Sequence, residues 1–130
     1  MVHTGIGYDV HRLVEGRSLW LGGVEIEHSK GLDGHSDADV LMHAICDAVL
    51  GAIGESDIGS FFPPSDPKWK NAPSRIFLEK ASELVGNVGG VIVNIDATII
   101  AEAPKILPYV PAMKIAVAPA LYISPDQIGI

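Results

Sequence analysis

The stretch GHSDADVLMHAICDAVLG, residues 34–51, decides how the rest of the chain is read. It reads as a loop entering a helix: Ser36 is placed as the N-cap, Asp37 and Asp39 fall in the first turn, and no proline interrupts the run to Gly51. At the helical period Leu41, Met42, Ile45, Cys46, Ala48, Val49, Ala52 and Ile53 share one broad apolar face. Asp39, His43 and Asp47 recur every four residues and line a second, polar stripe on the same helix. An imidazole between two carboxylates on an otherwise apolar helix is the feature that needs a chemical reason.

A chain of 130 residues fits one domain, residues 1–130, with a core sustained without disulfides. Cys46 is the only cysteine, which excludes an intrachain disulfide, and its place on the apolar face reads as a buried thiol acting as a small hydrophobe. Nine Lys plus Arg against sixteen Asp plus Glu give a net charge of -7 with no long run of either sign. A general nucleic-acid binder or an acidic-membrane binder would want a basic patch, so neither partner is expected. If the substrate is a phosphate, a metal ion or a helix N-terminus must supply the local positive charge. The 48% hydrophobic content leaves apolar surface for contacts between subunits. No apolar run reaches membrane-span length and no secretory pattern opens the chain, so a reducing, cytoplasmic location is expected.

Outward from the helix, residues 3–9 (HTGIGYD) read as a short strand leading into His11. In an extended chain Asp9 and His11 point to the same side, about 6–7 Å apart at their alpha carbons, and can grip one metal ion; such triplets also arise by chance. Gly22 and Gly23, between two short apolar runs, predict a hairpin, with Trp20 as a packing residue and His28 solvated. Residues 60–74 (SFFPPSDPKWKNAPS) carry four prolines and no periodicity, and read as an irregular loop long enough to be a lid or binding loop. Ser74 is placed as the cap of a second helix that buries Ile76, Phe77, Leu78, Ala81, Leu84 and Val85. Residues 91–100 (VIVNIDATII) read as a strand, and residues 110–121 as a helix with Pro111 in its first turn. Residues 128–130 read as the start of a further strand, which predicts a natural protein that continues.

Asp9, His11 and His43 offer one carboxylate and two imidazoles, a set that suits zinc with an open fourth position; chance pairing among five histidines is the alternative. Asp47, one turn beyond His43, is placed to hold a ligating histidine's second nitrogen or to stand as a solvated helix carboxylate. His35 and Ser36 stand where helix amides would face an anion, although Asp37 and Asp39 would repel a phosphate unless a cation or capping bond takes up their charge. The phosphate loop, the dinucleotide fingerprint and the serine-hydrolase elbow are all missing.

Several separated segments together resemble one family, the 2-C-methyl-D-erythritol 2,4-cyclodiphosphate synthases of the non-mevalonate isoprenoid route. They are GYDVHR at 7–12, LGG at 21–23, GHSDADVLMHAICDAVLGA at 34–52, SDIGSFFPPSDPKWK at 56–70 and DATIIAEAPKILPYVPAM at 96–113. The resemblance implies an α/β (α+β) fold, a two-layer sandwich of one mixed β-sheet with helices on one face, assembled as a homotrimer with active sites between subunits. It implies a CMP-forming phosphorus-oxygen lyase that turns 4-diphosphocytidyl-2-C-methyl-D-erythritol 2-phosphate into the 2,4-cyclodiphosphate.

Asp9, His11 and His43 match the family's zinc ligands, with Val10 among the substrate contacts. His35 and Ser36 match contacts to the methylerythritol phosphate, His35 in the position credited with stabilising the transition state. Asp57 and Gly59, with Ile58 between them, match the ribose contacts of a cytidine diphosphate. Phe62, Pro63, Pro64, Ser65 and Asp66 match a flexible loop over the methylerythritol part, and Pro64 stands where many relatives are acidic. Ala101, Glu102, Ala103 and Pro104, then Lys105, Ile106 and Leu107, match the segment whose backbone reads cytosine and whose lysine lies near the phosphates. The family continues past Ile130 with a strand and a final helix, so the ligand of a second divalent cation, magnesium or manganese, is expected there and not within these residues. Two other readings of the same residues are a zinc-dependent phosphoester hydrolase and a non-catalytic trimer that binds metal and nucleotide.

Overall fold

Gly22 and Gly23 adopt φ of 59° and 75° and close a two-residue hairpin, the backbone that a primed turn demands. The hairpin joins β2 (Leu19–Leu21) to β3 (Val24–Ile26), while β1 (Leu13–Glu15) pairs antiparallel with β4 (Lys30–Leu32). The computed structural model describes residues 1–130. Helix α1 (Val40–Ala52) is followed by the short α2 (Ile58–Phe61), then by α3 (Arg75–Asn87) and α4 (Val110–Val117). The core gathers Leu19, Leu21 and Ile26 from the hairpin, Leu41, Met42 and Ile45 from α1, Phe77 and Leu78 from α3, and Met113 and Val117 from α4. No helix is long and apolar enough to cross a membrane.

Helix α1 starts later than its sequence suggests. Ser36 and Ala38 have φ of 59° and 52°, conformations that end any helix, so the N-cap is Asp39 and not Ser36. Asp39 is fully buried, and its carboxylate accepts the amides of Gly22 (3.0 Å), Gly23 (2.7 Å) and Met42 (3.0 Å). One side chain thus caps the helix and ties the hairpin turn to it. Burial pushes this carboxyl above its ordinary range, and the three amides pull it back.

The expected single mixed sheet is instead three separate two-stranded pairs, two antiparallel and one parallel, within an α+β architecture. Residues 95–100 alternate, Ile95, Ala97 and Ile99 turning toward the core, while before them Ile92 packs on the core and Val93 and Asn94 are both exposed. Only β5 (Ile95–Asp96) forms a ladder, parallel to β6 (Ile128–Gly129), because a strand is defined by its neighbour and the rest of this stretch has none within the chain. Residues 3–9 form no ladder for the same reason. The proline-rich loop holds a 3-10 turn, Pro67–Trp69, and is pinned by Phe62, whose ring lies 4.7 Å from Trp69 and 4.6 Å from Phe77. Helix α4 passes into a 3-10 turn at Ala118–Leu121, where Pro119 has no amide to continue it.

Candidate metal centre

The coil before β1 lies directly along α1. A Cβ added to Gly5 would collide with the Ala48 carbonyl oxygen, and one added to Gly7 with that of Ala44, so only glycine lets the two backbones approach this closely. Two residues of extended chain advance about 6.6 Å and four residues of helix about 6 Å, so the segments keep step. Continued by two more residues, that step brings Asp9 to the first turn of α1, where His43 stands. Asp9 Oδ2 lies 3.5 Å from His43 Nδ1 and 3.0 Å from His11 Nε2.

These donors, one carboxylate and two imidazoles, lie within 4.8 Å of one another. They suit a small divalent ion and leave coordination positions open to a substrate oxygen. The outer atoms are also organised. His11 Nδ1 donates to the Asp33 carbonyl oxygen at 2.9 Å, which leaves Nε2, on the side of Asp9, as the nitrogen a metal could take. Burial pushes the His43 imidazole below its ordinary value, against the pull of Asp9, and so favours the neutral ring a metal requires.

The other nitrogen of His43 does not face Asp47, as its place one turn on suggests. His43 Nε2 lies 2.9 Å from Ser74 Oγ, and Ser74 Oγ is bonded in turn to Asp37. Asp47 accepts the amide of Ile58 at 3.2 Å and so fixes the start of α2; burial pushes its carboxyl up. Ser74 and Asp37 are the residues that sequence reasoning missed in this role. A serine before a helix reads as a cap, yet Ser74 occupies the N-cap position of α3 without capping it.

A cavity of about 240 Å³ opens beside the triad, lined by His11, His35, Ser36 and His43 on one wall. Ile58, Gly59, Phe62, Pro64 and Asp66 of the α2 region and loop form another. Ser36 is held from both sides, its amide donating to the Lys70 carbonyl at 2.9 Å and its carbonyl accepting from Arg17 at 2.9 Å. Its Oγ is buried with no hydrogen-bond partner. His35 and Ser36 thus join the triad, as do Gly59 and the loop residues Phe62, Pro64 and Asp66. Asp57, Pro63 and Ser65 are exposed beside this cavity, and Val10 is exposed beside Asp9. The residues Ala101 to Leu107 lie outside it. A larger, open groove of about 830 Å³ between α3 and residues 90–92 contains no such convergence of donors.

The sequence profile of the YgbB family matches residues 2–130. A 2-C-methyl-D-erythritol 2,4-cyclodiphosphate synthase of Synechococcus elongatus is 56% identical over 126 residues, covering 97% of this chain and 79% of that protein. One from Porphyromonas gingivalis is 56% identical over 126 residues, covering 97% and 78%. Among solved structures, a 2C-methyl-D-erythritol-2,4-cyclodiphosphate synthase in its CDP-bound form superposes with a TM-score of 0.85 at 37% identity, over 97% of this chain and 84% of that one.

Proposed function

The chain belongs to the YgbB family, and from that premise we infer that it converts 4-diphosphocytidyl-2-C-methyl-D-erythritol 2-phosphate to 2-C-methyl-D-erythritol 2,4-cyclodiphosphate, releasing CMP, in isoprenoid biosynthesis. The observation that carries this reading is the meeting of Asp9, His11 and His43, with His11 and His43 lining a cavity that His35 and Ser36 also line.

The reaction is an intramolecular phosphoryl transfer. An oxygen of the 2-phosphate attacks the β phosphorus, the bond from that phosphorus to the CMP oxygen breaks, and an eight-membered ring closes. Because both partners lie in one molecule, no side-chain nucleophile is needed; the protein folds the substrate back on itself and offsets charge. Asp9, His11 and His43 would hold zinc, which when bound supplies a Lewis acid and a template for phosphate oxygens, with magnesium or manganese as the second cation. Ser36 Oγ donates to a phosphate oxygen, and His35, on the same wall, stabilises the charge that develops. Asp57, Ile58 and Gly59 hold the ribose, and the loop from Phe62 to Asp66 closes over the methylerythritol part.

The cytosine segment, Ala101 to Leu107 with Lys105, lies away from this cavity in the same chain. A homotrimer with sites between subunits would bring a neighbour's copy of that segment to the triad, and the exposed Ile6, Tyr8, Val91 and Val93 are apolar surface available for such contacts. On this reading residues 1–130 act as one synthase domain, in the cytoplasm. The test is to supply the diphosphocytidyl substrate in ¹⁸O-water and follow ³¹P NMR. Cyclic diphosphate and CMP without solvent oxygen are expected; linear products carrying solvent oxygen would mean a hydrolase.

A further inference from the structure

Ser74 is fully buried, and its hydroxyl sits between His43 Nε2 and the Asp37 carboxylate. Asp37 also accepts the Ser74 amide at 2.9 Å and the Asp39 amide at 3.1 Å. A carboxylate only accepts, so the single hydroxyl proton of Ser74 points to Asp37. The lone pair left on Oγ then faces His43 Nε2 at 2.9 Å, and that nitrogen must donate. The reverse arrangement would turn the serine proton to His43 and leave two oxygens in close contact with no hydrogen between them. Ser74 also stands at the N-cap position of α3 while giving that helix no side-chain bond, forgoing a cap that typically contributes about 1 kcal/mol. Its hydroxyl is committed to His43 instead.

We propose that Ser74, oriented by Asp37, is a positioning residue that holds His43 as the Nε2–H tautomer and so directs the Nδ1 lone pair to the metal shared with Asp9 and His11. This rests on the reading of those three residues as metal ligands, but the tautomer itself is observable in metal-free protein. Long-range ¹⁵N–¹H NMR of metal-free wild type should show the His43 proton on Nε2. Ser74→Ala, which removes one buried oxygen and adds nothing, should shift the proton toward Nδ1, where Asp9 can accept it, and weaken zinc binding about 10- to 100-fold in chelator competition. Asp37→Asn, which keeps the volume, should move both readouts the same way, and Ser74→Thr should restore them. Thermal unfolding checks that each variant is folded. A wild-type proton on Nδ1 would overturn the proposal, as would a folded Ser74→Ala with unchanged tautomer and zinc affinity. Failure of the metal reading would look different: wild type would carry the predicted tautomer yet bind no zinc, and the proposal would fall with it.

Discussion

His43 Nδ1 stands 3.5 Å from Asp9 Oδ2, linking the first turn of α1 to the coil that precedes β1. No hydrogen-bonded ladder holds that coil; it lies against the helix by close packing of Gly5 and Gly7 and by the hydrogen bond of the His3 ring to the Ala52 carbonyl at 2.8 Å. The metal centre is therefore a joint between two segments, and both its chemistry and its assembly can be tested.

His43→Ala removes one of the three side chains that could hold a metal while leaving the apolar face of α1 intact. Bound zinc should fall below about a tenth of an equivalent and turnover should vanish, with circular dichroism nearly unchanged. Undiminished zinc by elemental analysis in that variant would refute the ligand assignment.

Gly7→Ala introduces a methyl group where the Ala44 carbonyl oxygen already sits. The coil must lift from α1, at a cost of about 1–3 kcal/mol, and Asp9 moves with it. A lowered unfolding midpoint together with weaker zinc binding is expected. Equal stability and equal affinity would show that this close approach is not what positions Asp9.

Asp39→Asn replaces an acceptor oxygen by an amide that meets backbone donors. At least one of the bonds to Gly22, Gly23 and Met42 is lost in a buried site, so urea denaturation should register about 1–3 kcal/mol less stability. An unchanged midpoint would mean that the link from hairpin to helix contributes little.

Burial, aided by Asp47, pushes the Cys46 thiol up to about 12. At pH 8 the folded protein then exposes about one thiolate in ten thousand, and a thiol reagent should label it only on unfolding. Above pH 9 the unfolded thiol ionises while the folded one keeps its proton, so stability should fall from pH 9 toward 12. Rapid labelling under native conditions would contradict this.

Donor types and local spacing suggested the triad, and the family resemblance gave its three residues their role. Asp9 and His11 two apart, and His43 on the polar stripe of an apolar helix, point to a metal by donor type, although spacing alone leaves chance pairing open. The roles along the polar stripe were less legible, because Asp39, His43 and Asp47 share a period but not an environment: one caps and ties a turn, one faces Asp9, one fixes α2. Nothing in a serine or an alanine announces the positive φ of Ser36 and Ala38, so the local pattern sets the helix start too early. The β-branched run of residues 91–100 reads as a strand, but only Ile95–Asp96 form a ladder, because pairing depends on a distant segment that local pattern does not encode. Ser74 was hidden because capping is the commoner use of a serine in that position.

The most direct test of the metal centre is anomalous scattering measured on both sides of the zinc absorption edge from crystals of the protein as purified. The account predicts one strong peak per chain, within coordinating distance of Asp9 Oδ2, His11 Nε2 and His43 Nδ1. A metal peak held elsewhere, with these three side chains bonded only to one another, would contradict it.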